Sequence, residues 1–170
     1  SKSLLIYMAT LAELCDSGVL DTIDPLEPDE LPWRTLYGTM DFLGWLDQVL
    51  PTLAHNPLYA ELTPLEQVFA LFAEYVSGDD FFSDRRFKKL SWTPDRYVWE
   101  LKTEEVRIFG WAPQRDAFIC CYGDSKDRIV LDNSYGRYIA QTVYVRNQIA
   151  LDEPKCVTGG SYADVISNKA

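Results

Sequence analysis

The apolar residues in the first part of the chain recur at the spacing of helices. Across residues 3–15 they return every three or four positions, which predicts a helix that ends near Gly18. The same spacing from Trp33 to about Leu50 predicts a second helix, and Pro51 is expected to end it. The polar stretch between these helices contains several prolines, so it is expected to form a loop.

A third helix is marked by signals at both of its ends. Thr63 is a suitable N-cap, and Pro64 occupies the favoured first position. Glu66 can complete a capping box with Thr63. A buried stripe follows at helical spacing, and Gly78 is expected to end the helix. The stripe consists of Val68, Leu71, Phe72 and Tyr75.

The period changes from helical to alternating in the centre of the chain. Three runs, YVWELKT, EVRIFGWA and DAFICCYG, predict strands near residues 97–102, 106–111 and 117–122. Thr103 and Glu104 make a tight connection between the first two strands. The sequence therefore predicts an α+β fold in which a small, twisted antiparallel sheet packs on helices.

The remaining segments complete the predicted organisation. Asn133 or Ser134 is expected to cap a final helix, and residues 152–168 are expected to form a mobile tail. The length suits one domain of ordinary size. The pattern divides the chain into an acidic helical N-terminal extension, an α+β core and a C-terminal tail. These parts span residues 1–62, 63–151 and 152–170.

Charge is distributed unevenly along the chain. The formal net charge is −10 and the pI about 4.5, which argue against nucleic-acid binding by the whole surface. Residues 1–80 contain two Lys or Arg residues and 14 carboxylates, whereas residues 81–150 contain 12 and nine. An acidic front is therefore joined to a mildly basic centre. No apolar run approaches the roughly 20 residues that span a bilayer, and the N-terminal residues do not resemble a secretion signal.

The chain has four cysteines and one histidine. Cys120 and Cys121 are adjacent in a predicted strand, so their side chains are expected to face opposite sides of the sheet. No cysteines have the spacing of a redox motif, and His55 is too isolated to suggest a zinc site. We therefore expect free thiols in a reducing cytoplasm, with no metal and no cofactor.

The cations of the central region suggest a site for a phosphate backbone. The cluster RRFKK precedes the strands, and Lys126 and Arg128 follow them. If the register of its strand turns Arg107 to the same open face as Lys89, Lys126 and Arg128, the site has four cations. Such a group can hold a phosphodiester, stabilise the charge of its cleavage and protonate the leaving oxygen. RNA is the natural substrate, because its 2′-hydroxyl can supply the attacking oxygen.

Structural roles for the same residues remain open. Lysines and arginines on strands usually face water and keep sheet edges from pairing. Aromatic residues near the strands can stack on bases, although tryptophan more often packs in a core. These aromatic residues are Trp92, Trp99, Trp111 and Tyr135.

The order of these motifs resembles that of the RelE/ParE/HigB superfamily of bacterial toxins. The resemblance covers residues 64–150 and includes a basic KKL element, the strands YVWELKT, EVRIFGW and DAFICCYG, a Lys-x-Arg pair and a closing helix. It implies a small α+β fold with a twisted antiparallel sheet. Many RelE- and HigB-like members cleave messenger RNA on the ribosome, whereas ParE-like members act on DNA gyrase. The resemblance also implies an antitoxin protein as partner.

The resemblance gives roles to particular residues. Arg107 matches the strand arginine that contacts the phosphate, and Lys126 and Arg128 match the basic pair after the third strand. Lys88 or Lys89 matches the lysine before the first strand.

A tyrosine that some family members carry beyond the basic pair is matched by Tyr135 or Tyr138. The expected catalytic residues are Arg107, Lys126, Arg128, Lys89 and Tyr135. The expected substrate-binding residues are Arg85, Arg86, Lys88, Lys102 and Trp111.

Three hypotheses follow for the function. The first is a cytoplasmic RelE/HigB-like toxin, a metal-independent endoribonuclease that cleaves mRNA and is neutralised by an antitoxin. The acidic front departs from the family, whose members are usually shorter and basic. The alternative is therefore a non-catalytic RelE-fold protein of phage or bacterial origin that inhibits a basic or nucleic-acid-binding partner through its acidic surface. The third is a structural oligomer that pairs through a sheet edge or exposed aromatics.

Overall fold

The computed structural model describes residues 8–90 and 96–170 of the chain. These residues form an α+β fold with a six-stranded sheet, so the predicted fold class is confirmed at this level. The strands are β1 (Leu20–Ile23), β2 (Thr35–Thr39), β3 (Phe87–Lys89), β4 (Trp99–Lys102), β5 (Val106–Trp111) and β6 (Ala117–Ser125). The α-helices are α1 (Leu11–Asp16), α2 (Met40–Gln48), α3 (Pro64–Ser77), α4 (Lys126–Asp132), α5 (Tyr135–Gln148) and α6 (Tyr162–Val165).

The sheet is mixed, with the strand order β1-β2-β6-β5-β4-β3. Strands β4 to β6 pair antiparallel, as the alternating runs predict, and β3, which those runs do not include, pairs antiparallel with β4. Strand β2, however, pairs with β6 in parallel. The prediction of a wholly antiparallel sheet is therefore wrong at this pair. Helices α2 and α3 lie between β2 and β3 in the sequence. The chain then forms β3, β4 and β5 before β6, and β6 runs in the same direction as β2.

The sheet has an apolar core on each of its faces. Helices α2 and α3 cover one face, where Phe42 and Phe72 pack with Phe118 and Cys120 of the sheet. Helices α1 and α5 contribute to the other face, which contains Cys121. The adjacent cysteines thus lie in different cores, which confirms the prediction made from strand alternation. Both thiols are buried, and burial raises their pKa values.

The acidic N-terminal part contributes two strands to this sheet. The predicted helix over residues 33–50 is wrong in its first part, because residues 35–39 form β2 and the helix begins only at Met40. Thr39 is the N-cap, and its side chain accepts a hydrogen bond from the Phe42 N–H at 3.2 Å. The predicted helix over residues 3–15 lies partly outside the described residues, and in its described part the helix α1 begins only at Leu11, after an isolated bridge between Ala9 and Leu151.

Helix α3 has the bounds and caps that the sequence predicts. Thr63 and Glu66 form the reciprocal capping box, with Pro64 at the first position. Gly78 ends the helix in the left-handed conformation at φ +89°. The stripe of Val68, Leu71, Phe72 and Tyr75 is completely buried.

The C-terminal residues pack against the fold, so the prediction of a mobile tail is wrong. Val165 and Ile166 are fully buried in the core beneath α3. Arg34 is fully buried as well, and its Nε donates a hydrogen bond to the Ser167 carbonyl at 2.9 Å. The N–H of Ser167 donates to the Asp116 carboxylate at 2.6 Å. These contacts attach the tail to β2 and to the turn before β6.

Candidate functional site

An open cleft of about 980 Å³ lies where α3, residues 79–86 and the β4–β5 turn meet. Five cationic side chains and five carboxylates line this cleft, so its formal charges balance. The cations are Arg85, Arg86, Lys102, Arg107 and Lys126. The carboxylates are Glu61, Glu74, Asp79, Asp80 and Glu104.

The β4–β5 turn brings the central cations of the cleft together. The Thr103 hydroxyl accepts a hydrogen bond from the Val106 N–H at 2.9 Å, which fixes a tight reversal. In the resulting register Lys102 lies directly opposite Arg107, so both side chains leave the same face of the sheet. Lys126 joins them because its N–H donates to the Glu105 carbonyl of this turn at 2.9 Å.

Arg107 is largely buried where it meets the cleft. Its Nη1 donates hydrogen bonds to the carbonyls of Thr103 and Val106, the second at 3.0 Å. Its Nε lies 4.0 Å from Oε2 of Glu100, and both side chains are more than nine-tenths buried. The guanidinium is therefore held by its own turn and by a buried carboxylate, with only a small part of it exposed.

Glu100 and Tyr135 lie next to Arg107. Burial raises the pKa of Glu100, and the nearby charges of Arg107 and Lys102 oppose that effect. Burial also raises the pKa of the Tyr135 hydroxyl, with the Glu100 carboxylate adding to the effect. The buried pair of Arg107 and Glu100 and the partly buried Tyr135 form a polar cluster beside the cleft, and the sequence signal for it is a carboxylate within the apolar run of β4.

Lys102 is the half-buried cation of the cleft. Its Nζ donates a hydrogen bond to the Asp84 carbonyl at 3.0 Å. Burial lowers its pKa, so this ammonium gives up a proton more readily than an exposed lysine.

The other cations of the cleft differ in how they are paired. Arg86 forms an ion pair with Glu74 at 3.3 Å. Among the described residues, no carboxylate lies within 4.0 Å of the charged nitrogens of Arg85, Lys102 or Lys126. These three side chains are the cations that the cleft offers to an anion.

Two lysines of the RRFKK cluster lie outside the cleft. Strand β3 alternates, so Lys88 leaves the sheet beside Glu100 whereas Lys89 leaves the opposite face beside Trp99. The Nζ of Lys89 lies 5.1 Å from the centre of the Tyr97 ring. The expectation that Lys89 shares a face with Arg107 is therefore wrong, because the pairing of the short strand β3 turns it away.

Arg128 and Tyr135 are also outside the lining of the cleft. Arg128 lies on α4 and is largely exposed, with Nε 3.9 Å from Asp124 and 3.7 Å from Asp132. Lys126 and Arg128 both belong to the helix α4, where residues two positions apart lie on different faces. The Lys-x-Arg pattern therefore does not bring them to one site. Tyr135 packs edge-on against Phe109, at 5.7 Å between ring centres.

The aromatic side chains expected to bind bases serve the core instead. Trp111 is fully buried, and its Nε1 donates a hydrogen bond to the Lys155 carbonyl at 2.8 Å. Trp99 is buried and stacks on Phe87 at 4.6 Å between ring centres. Trp92 lies outside the described residues. Burial of the first two leaves them no surface on which a base could stack.

Gln67 is a cleft residue that the sequence analysis missed. Its side-chain amide donates hydrogen bonds to the Leu62 carbonyl and to the Glu105 carboxylate, each at 2.9 Å. The Glu105 N–H donates back to the Gln67 carbonyl oxygen at 3.2 Å. This link fixes α3 against the β4–β5 turn and so sets the width of the cleft. A polar residue at a buried position of the α3 stripe was the available signal.

No family model, curated protein or solved structure matches the chain. Among the described residues, no group of three or more His, Cys, Asp or Glu side chains is placed to hold a metal ion. None of the described helices is both long and apolar enough to cross a membrane.

Proposed function

We propose that the chain is a RelE/HigB-like protein that binds the backbone of messenger RNA in the cleft and cleaves it without a metal. The observation that carries this proposal is the meeting of five cations from four separate segments at one open site. The family resemblance matches Arg107 to the strand arginine that contacts the phosphate and Lys126 to the basic pair after the third strand. Lys102 joins them through the geometry of the cleft. An antitoxin protein is the partner expected with such a function.

The chemistry uses the RNA itself as the source of the nucleophile. The 2′-hydroxyl oxygen attacks the adjacent phosphorus and gives its proton to a carboxylate of the cleft lining, for which we propose Glu104. The bond from phosphorus to the 5′-oxygen breaks, and Lys102 protonates that oxygen, since its lowered pKa suits a proton donor. Lys126 and the exposed part of Arg107 stabilise the extra negative charge on the phosphate oxygens. The products are a 2′,3′-cyclic phosphate and a 5′-hydroxyl.

A second candidate function is a non-catalytic protein that binds a basic partner. Two observations favour it: the cleft contains as many carboxylates as cations, and Arg107 is tied to Glu100 and to its own turn. In this case the carboxylates of the cleft would pair with cations of the partner, and RNA is not its ligand.

Cleavage of single-stranded RNA in the presence of EDTA separates the two candidates. The wild type is expected to produce 2′,3′-cyclic phosphate ends, and Lys126→Ala to slow cleavage by at least about tenfold. Arg115→Ala is the matched control, because Arg115 is an exposed arginine that does not line the cleft. Induction of the wild type in bacteria should also arrest growth. Intact RNA at every enzyme concentration would contradict the nuclease proposal and favour the binding protein.

A further inference from the structure

Residues 58–62 form an exposed apolar segment at the entrance to α3. Leu58 is 92% exposed, Tyr59 65% and Leu62 44%. Single exposed apolar side chains are common on protein surfaces, but three within five residues make a patch that calls for a physical reason. Glu61 and Leu62 also line the cleft, so the segment borders it directly.

The backbone of this segment is held in place by polar side chains. The Leu58 N–H donates to the Asn56 side-chain oxygen and the Tyr59 N–H to the Asn56 carbonyl, each at 3.0 Å. At the other end, the Leu62 carbonyl accepts the hydrogen bond from Gln67 at 2.9 Å. The apolar side chains are thus presented outward from a fixed backbone, and a partner would not have to order the loop on binding.

A second anchor ties the segment to the sheet. The Glu105 carboxylate accepts a hydrogen bond from the Asn56 N–H at 3.3 Å, and its other oxygen lies 2.9 Å from Nδ1 of His55. The same carboxylate also accepts from Gln67. One turn residue therefore positions both the segment and helix α3, which makes the patch part of the rigid fold.

Two carboxylates flank the patch. Glu61 lies within the segment, and Glu66 follows in the first turn of α3, where hydrogen bonds from Thr63 lower its pKa. They belong to an acidic part of the chain, since the first 80 residues contain 14 carboxylates and two cations. An apolar patch flanked by carboxylates complements a segment that combines apolar and basic side chains.

We infer that residues 58–62 are a docking surface for a basic amphipathic segment of a partner protein. Apolar side chains of the partner would cover Leu58 and Tyr59, and its Lys or Arg residues would pair with Glu61 and Glu66. A second copy of the chain is disfavoured because it would bring the same negative charge. A bound segment would cover one wall of the cleft. This inference does not depend on the chemistry proposed for the cleft.

The test uses fluorescein-labelled amphipathic peptides of about 14 residues, one of Leu and Lys and a matched one of Leu and Glu. Fluorescence anisotropy should show that wild type binds the Lys peptide at least about tenfold more tightly, which corresponds to about 1.4 kcal/mol. The double variant Leu58→Ser/Tyr59→Ser should lose this affinity. Leu131→Ser is the matched control, because Leu131 is 85% exposed on α4, which does not line the cleft except through Lys126.

Three outcomes would overturn the docking surface: equal binding of both peptides, unchanged affinity in the double variant, or an equal loss in Leu131→Ser. Urea unfolding of each variant confirms that the fold is retained. If sedimentation velocity shows that the wild type is a dimer and the double variant a monomer, the patch is assigned to a second copy of the chain instead. Affinity for single-stranded RNA should not change in the double variant, and a loss there would assign the patch to RNA. Failure of peptide binding leaves the cleft proposal standing, since cleavage is measured separately.

Discussion

Nε of Arg107 lies 4.0 Å from Oε2 of Glu100, and neither atom has a hydrogen-bond partner among the described residues. Both side chains are buried, and Arg107 is the larger of the two nearby charges that compensate Glu100, ahead of Lys102. Replacing Arg107 by Met should lower the free energy of unfolding by about 3 kcal/mol, because the buried Glu100 loses its main compensating charge. Urea denaturation followed by circular dichroism measures this loss. Arg115→Met is the exposed control, and a loss no larger than the control's would show that the pair is not mutually dependent.

The pH dependence of stability gives an independent test of the same pair. Burial raises the pKa of Glu100 above its ordinary value of 4.5, so the folded state binds this proton more tightly than the unfolded state. Below pH 4.5 Glu100 is protonated in both states and its ionisation does not affect the free energy of unfolding. Above the folded-state pKa Glu100 is ionised in both states, and the free energy of unfolding is lowered by the full cost of ionising it in the folded protein. The free energy of unfolding of wild type, minus that of Glu100→Gln, should therefore fall as pH rises above 4.5. A difference that stays constant or increases over this range would contradict the assignment.

The sequence and the structure differ in the roles that they assign to Lys126 and Arg128. The Lys-x-Arg pattern places both in the site, whereas the structure places only Lys126 in the lining of the cleft. Lys126→Ala should weaken the affinity for single-stranded RNA several-fold, and Arg128→Ala should change it much less, because Arg128 already faces Asp124 and Asp132. Fluorescence anisotropy with a labelled oligonucleotide measures both. Equal losses in the two variants would mean that the binding surface extends over α4.

Gly78 and Gly44 should respond in opposite directions to substitution by alanine. Gly78 has a φ of +89°, and a Cβ there would lie 2.7 Å from the Trp33 side chain. Gly78→Ala should therefore lower the free energy of unfolding by about 1–3 kcal/mol. Gly44 lies in α2 with no atom within 4 Å of an added Cβ, so Gly44→Ala should raise it by about 0.5–1 kcal/mol. Thermal and urea unfolding measure both changes, and changes of the same sign would contradict the packing described.

Local signals in the sequence predicted the elements whose determinants are local. The capping box at Thr63 and Glu66, the proline at position 64 and Gly78 specify α3 without help from the rest of the chain. Alternation likewise predicted β4, β5 and β6, and the opposite directions of Cys120 and Cys121.

Elements that depend on distant partners escaped the sequence analysis. Strand β2 has apolar positions that also fit a helical period, and its pairing with β6 connects residues about 80 positions apart. The tail is fixed by Arg34, which lies 133 positions before Ser167. The face of Lys89 follows from the pairing of Phe87 with Leu101, and no local pattern sets that register. Convergence of cations on the cleft was predicted correctly for Arg107 and Lys126 and wrongly for Lys89 and Arg128.

The salt dependence of RNA affinity tests the cleft most directly. The triple variant Arg85→Ala/Lys102→Ala/Lys126→Ala removes the three cleft cations that have no carboxylate within 4.0 Å in the described part of the chain. The slope of log affinity against log salt should become shallower by about 2, since each phosphate contact of a single strand contributes about 0.7. Arg115→Ala should retain the wild-type slope. An unchanged slope in the triple variant, with its fold intact, would show that RNA does not bind in this cleft.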